Sequence, residues 1–239
     1  MERGFSVPLF DKGHVRYLGH YGTDMTIVEA ARVSYASESK GEELGKKLLM
    51  YLFKMKHTSP FEQCSVQFNI KMPIFCMRQF VRHRTFKLNE MSARYTEMWD
   101  DFYEPIAFRL RDTKNKQGSL ESEAFAKETA DLIQEYKDHD RAGYALYQKG
   151  LKRGVAKEMA RFCLSVANYT EIVITADLHN LMHFLRLRLD AHAQWEMRQI
   201  AKGMHDMVKD LFPWSLEAFD RYQMRMVDIQ AGDEVETTK

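Results

Sequence analysis

Several features that would announce a function class are missing from this chain. Net charge is nearly absent: 35 Lys and Arg against 34 Asp and Glu leave +1 over 239 residues. That balance argues against a generic nucleic-acid coat, which carries a basic face. Cysteine is scarce, and Cys64, Cys76 and Cys163 lie far apart with no CxxC or zinc-type spacing. They read as buried free thiols in a reducing cytoplasm. The opening residues, MERGFSVPLFDKG, lack the cationic-then-apolar order of a signal peptide. No apolar run approaches the ~18 residues of a membrane span. GxSxG, GxGxxG and P-loop patterns are absent, as are internal repeats. The expectation is a soluble cytoplasmic protein without a membrane or nucleic-acid partner. Any nucleotide it binds is held without a glycine loop.

What is present is concentrated between Arg78 and Arg94. RQFVRHRTFKLNEMSAR carries Arg78, Arg82, Arg84 and Arg94 with Lys87 and His83, against one carboxylate, Glu90. In a chain whose charges otherwise cancel, this is a local excess of cation. Arginine's planar fork suits phosphate and carboxylate, and Gln79, Asn89 and Ser92 can read a heterocycle or sugar. The stretch reads either as a solvated cationic face or as a pocket for a small phosphorylated molecule. Arginines leaving an apolar helix favour the pocket, because a partly buried charge is costly without a partner.

Around it, periodicity sets out an α+β domain. Residues 41–56 predict a helix, with Leu44, Leu48, Leu52 and Met55 at helical spacing. Alternation of Val66, Phe68, Ile70 and Met72 predicts a strand with one wet face. Pro73 suits a first helical position, and the helix is expected to run through Arg84 with Arg78 and Arg82 on one face. Residues 85–94 read as an extended loop, 102–110 as a strand and 111–119 as a polar surface loop. One long polar helix is expected from Leu120 to about Gln148, and another over 155–165 with Lys157 and Arg161 on one face. NYTEIVITA predicts a strand, DLHNLMHFLRLRL a helix. A helix capped by Asp190 is expected to reach about Phe212, with a last one beginning at Trp214. A single domain over 1–231 would end in a disordered polar tail, 232–239.

His179 and His183 form HxxxH, and His192 and Glu196 a second pair four apart. The zincin pattern needs glutamate where Asn180 stands, so no metal is expected. A zinc hydrolase built on these histidines is one rival reading. An RNA-binding module stacking bases on Phe80, Phe86 and Tyr95 is another.

Arg82-His83-Arg84, seven residues, then Ser92 gives RHRx7S, within RHRTFKLNEMSARY. This resembles the signature of the flavin-dependent thymidylate synthases. HTSPFE (57–62), MRQFVRHR (77–84), AKEMAR (156–161) and LMHFLRLRLDAHAQWE (181–196) are similar to that family in type and order, over most of 25–215. The resemblance implies a small, largely antiparallel twisted sheet flanked by long helices, and a homotetramer with active sites at subunit interfaces. It implies reductive methylation of dUMP to dTMP, with 5,10-methylenetetrahydrofolate as carbon donor and FAD, reduced by NADPH, as hydride source. By motif, dUMP would meet Gln79, Phe80, Val81, Arg82, Glu90, Met91, Ser92, Ala93, Arg94 and Arg161, with Arg78 nearby. FAD would meet Ser59, Arg82, His83, Arg84, Glu90, Asp177, Leu178, His179 and His183. Arg188 would face the uracil as the catalytic group. Ser59 stands where threonine is common. Asp177, His179 and His183 fall where some members carry asparagine, arginine and asparagine. The unrelated cysteine-dependent synthases are excluded, since no cysteine here sits in a comparable motif.

Overall fold

Alternating side chains that share one apolar face organise the molecule. The computed structural model describes residues 1–33, 41–116 and 118–224; the expected tail at 232–239 lies outside them. Strands β1 (Ser6–Leu9) and β2 (Gly13–Tyr21) open the chain as a hairpin, followed by helices α1 (Asp24–Val33) and α2 (Glu42–Lys54). The next strand, β3 (Ser65–Pro73), runs into α3 (Ile74–Phe80), and the short strand β4 (Lys87–Glu90) follows. A two-stranded ribbon, β5 (Leu110–Arg111) with β6 (Ser119–Leu120), precedes α4 (Glu123–Glu128), α5 (Ala130–Lys152) and α6 (Lys157–Ala160). Strand β7 (Tyr169–Asp177) and helices α7 (Leu178–Arg188), α8 (Trp195–Leu211) and α9 (Pro213–Phe219) complete the described fold.

The main sheet has the order β1-β2-β3-β7-β4, with every neighbouring pair antiparallel. On one face Val66, Phe68, Ile70, Met72, Ile172, Ile174 and Ala176 are buried in a core shared with α1, α2, α7, α8 and α9. The opposite face is polar: Asn69 donates to Glu171 at 2.6 Å and bonds His14 at 2.8 Å. A second, smaller core joins Ala93, Met98, Tyr147 and Ala160, between α5, α6 and the chain after β4. The α+β expectation holds.

Several local expectations are corrected. Helix α3 stops at Phe80, so Arg82 is not on its face with Arg78. The chain tightens into three-residue turns, Arg82 N–H to Gln79 O at 3.3 Å and His83 N–H to Phe80 O at 3.1 Å. Buried Phe86 folds back onto Phe80 and Phe184 and draws the chain round. Residues 87–90, expected as loop, are an edge strand paired with β7. Residues 102–110 are not a strand: they hold one bridge, Phe102 to Asn168, and reach pairing only at Leu110. The long polar helix is broken at Thr129, whose Oγ1 donates back to Phe125 O at 2.7 Å. The helix expected over 155–165 shrinks to α6 and a tight turn at Arg161–Cys163. Asp190 does not cap α8, which begins at Trp195; it accepts the amide of His192 at 2.8 Å in the preceding turn. On α2 the buried stripe is Gly45, Leu49, Leu52 and Phe53, while Leu44 and Met55 are each 50% exposed.

Candidate active site

A cleft of about 360 Å³ opens where β4 ends, lined by Glu90, Met91, Ser92, Ala93, Arg161 and Thr170 among others. Register brings these groups together. Glu90 lies opposite Ile172 on β7, and the next amide, Met91 N–H, donates to Glu171 O at 2.9 Å. Thr170 Oγ1 donates to Glu90 Oε1 at 2.8 Å, leaving the second carboxylate oxygen for a ligand. Beyond it the chain turns on Ser92, whose Oγ accepts from Arg94 N–H at 3.3 Å and whose carbonyl accepts from the amides of Tyr95 and Thr96. Arg94 itself is drawn outward by Glu158, Nε to Oε2 at 2.9 Å. Arg161, at the tight turn after α6, is exposed and among the described residues donates only to Glu158 O, at 3.3 Å. The cleft therefore offers a guanidinium, a hydroxyl and a carboxylate oxygen above an apolar floor, a set suited to a phosphorylated sugar.

Arg188 does not line that cleft. It sits at the end of α7, where its Nε donates to His83 Nε2 at 3.0 Å and its Nη2 to the Gln79 carbonyl at 3.4 Å. Burial, with help from the charges of Arg188 and His183, pushes His83 down to about 4. At neutral pH the imidazole is therefore uncharged, with its proton on Nδ1, and it can accept from a cation without repelling it. Its ring meets Phe184 edge-on at 4.7 Å. Burial also lowers Arg188.

The side chain of Gln79 continues this second cluster inward. Its Nε2 donates to Gln194 Oε1, and Gln194 Nε2 donates to Glu196 Oε2 at 2.9 Å. Glu196, only 2% exposed, also accepts from Arg109 Nη2 at 2.7 and 3.0 Å and from Tyr103 at 2.9 Å. Burial pushes its carboxyl up, but the hydrogen bonds and charge of Arg109 outweigh this and hold it below the usual carboxylate range.

The residues expected around a flavin gather at the other end of β4 and along α7. Arg82 and Arg84 are exposed on the turn before β4, and neither is in an ion pair among the described residues. Ser59 is exposed, His179 is half-buried and His183 is exposed. Unpaired arginine forks beside hydrogen-bonding side chains fit the diphosphate of a dinucleotide such as FAD. Asp177 is occupied otherwise: it caps α7, accepting from Asn180 N–H at 2.9 Å and Asn180 Nδ2 at 2.7 Å. The side chains of Leu178 and Phe80 are spent on the core, and Val81 is exposed.

One chain thus unites Glu90, Met91, Ser92, Ala93 and Arg161, and separately unites Gln79, His83 and Arg188. Thr170 and Gln194 are site residues that the sequence does not single out, and Glu196 stands out there only as half of the His192–Glu196 pair, not as a partner of Gln194 and Arg109. The signal for Gln194 is its place in the HAQWE block. A different cavity of about 540 Å³, walled by Phe10, Tyr103, Phe108 and Trp195, holds none of the expected residues.

Residues 16–214 match the family model described as thymidylate synthase complementing protein. A flavin-dependent thymidylate synthase of Thermus thermophilus is 43% identical over 222 residues, covering 93% of this chain and 81% of the relative. One from Treponema denticola is 40% identical over 235 residues, covering 98% and 88%. The crystal structure of the UMP/dUMP methylase PolB from Streptomyces cacaoi, bound with 5-bromo-dUMP, superposes with a TM-score of 0.81 at 31% identity, covering 91% of this chain and 98% of PolB. The chain belongs to the thymidylate synthase complementing family, that of the flavin-dependent thymidylate synthases.

Proposed function

We propose that this chain methylates dUMP to dTMP as a flavin-dependent thymidylate synthase, with a site assembled from more than one copy of itself. The observation that carries the shared site is the separation of its halves. Phosphate-binding chemistry (Arg161 with the Ser92 turn) lies in one cleft, while Arg188 is held by His83 and Gln79 outside it.

In this reading Arg161 and the turn at Ser92–Arg94 hold the dUMP phosphate, and the free oxygen of Glu90 accepts a sugar hydroxyl. Binding energy at that end becomes orientation at the base. Carbon 5 of uracil is a poor nucleophile until negative charge builds on the ring. The guanidinium of Arg188, fixed beforehand by neutral His83, stabilises that charge as it develops. Arg82 and Arg84, with Ser59, His179 and His183, would hold FAD, which supplies hydride when reduced. NADPH as reductant, 5,10-methylenetetrahydrofolate as carbon donor and a homotetrameric assembly complete the proposal.

The test is dTMP formation from dUMP with the purified protein, omitting FAD, NADPH and methylenetetrahydrofolate in turn. Turnover should require all three. Failure to form dTMP after saturation with FAD, in the presence of both co-substrates, would refute the assignment.

A further inference from the structure

Two registers of the chain converge on His83. Phe80, His83 and Phe86 stand three residues apart in a run of tight turns, with His83 N–H donating to Phe80 O at 3.1 Å and Phe86 N–H to His83 O at 3.2 Å. Side chains at that spacing fall on one side of the chain. Phe184 and Arg188 are four apart on α7 and share a helix face. The two sets interlock around the imidazole. Phe184 meets its ring edge-on at 4.7 Å, Phe86 lies 6.0 Å away at 31° to it, and Phe80 stands at 6.5 Å. The three phenyl rings also pack on one another, with centroids 5.1, 5.5 and 5.7 Å apart, and all three are buried. Within this setting His83 Nε2 accepts from Arg188 Nε at 3.0 Å.

Burial is the largest cause of the drop that leaves His83 at about 4, ahead of the charges of Arg188 and His183 on α7. On its own turn the ring is flanked by Arg82 and Arg84, whose side chains are exposed, and α3 presents Phe80 to it. An imidazole opened to water takes a proton more readily, because desolvation penalises the charged form. Once protonated, His83 has only donors, so it loses its bond from Arg188 and repels the guanidinium. We propose that Phe86 and Phe184 are positioning residues for catalysis, a ring clamp that holds His83 against Arg188 and so keeps the guanidinium in place. The inference rests on the proposed role of Arg188 in stabilising charge on the base.

The test is the ratio of kcat/KM for dUMP in F86A to that in the wild type, with FAD saturating, across roughly pH 8 to 5. Ionisation of the nucleotide cancels in this ratio, and F86L serves if F86A does not fold. The ratio should be nearly constant above ~pH 7 and fall at least ~3-fold by ~pH 5, as the His83 midpoint rises from about 4 toward its ordinary 6.5. In an H83Q background the same substitution should give a ratio that does not change with pH. F86Y, which keeps the ring, should follow the wild type. Loosened packing alone would lower the ratio equally at every pH. A flat ratio in a folded Phe86 variant, or a fall that persists with H83Q, overturns the clamp while dTMP formation still stands. A wild-type protein that forms no dTMP overturns the functional reading, and the clamp's catalytic role with it.

Discussion

His83 and Arg188 are two potential cations in direct contact, and the pair is stable because one of them is neutral. The sign of its pH dependence follows. His83 is held at about 4, against an ordinary value of 6.5. Between these values the unfolded chain binds the proton more readily, so the contribution is complete above about 6.5 and is lost as pH falls toward 4. H83Q keeps an acceptor for Arg188 Nε but cannot titrate there. The urea midpoint of the wild type should fall relative to H83Q between pH 6.5 and 4, and a constant difference would remove His83 as the titrating group. Arg188 itself uses Nε and one Nη on the protein, which leaves the rest of its fork for a ligand. Replacement by alanine should lower kcat/KM by about 10²–10³-fold, the scale of losing one charge-stabilising group. Bound FAD, read from its visible absorbance, should be retained. Near-normal turnover in R188A would remove the role assigned to it.

Among the elements, α5 shows how a polar surface helix is tied to a site. Its one buried residue is Tyr147, whose hydroxyl accepts from the Met98 amide at 3.0 Å beneath the cleft. Y147F keeps the ring but orphans a buried N–H, which should cost about 1–3 kcal/mol in urea unfolding. It should also weaken dUMP binding, because Met98 packs in the same small core as Ala93. Strands β3 and β7 and helix α7 were legible in the sequence, because each alternates or repeats apolar side chains against a single core. Strand β4 was not, since all four of its residues are exposed and its only order comes from pairing with β7. The N-terminal hairpin went unread for a related reason: β1 has only four residues, and the pairing of β2 is interrupted by an irregularity between Tyr17 and Gly19. For the site, charge density alone singled out residues 78–94, and motif resemblance added Arg161 and Arg188. The Gln79–Gln194 contact joins positions 115 apart in sequence, and no local pattern encodes it.

At the scale of the whole molecule, the question is where one site ends and the next chain begins. The cleft is flanked by apolar side chains that a lone chain leaves in water: Tyr95, Met159, Phe162 and Val166 are all exposed. Edge strand β4 runs beside it with its residues uncovered. These surfaces, together with the absence of Arg188 from the lining of the Arg161 cleft, support dUMP bound between copies, with its phosphate on one and its base on another. That arrangement has an arithmetic consequence. R161A and R188A should each be nearly inactive alone. Unfolded together in equal amounts and refolded, they would assort at random in a closed oligomer. A site that needs Arg161 from one chain and Arg188 from another is complete when both draws are favourable, so about a quarter of wild-type activity should return. If both arginines served a site within the same chain, every subunit would carry one lesion and mixing would restore nothing. Activity measured against mixing ratio separates the two, since the shared site predicts a maximum at equal amounts and the unshared one a flat line near zero.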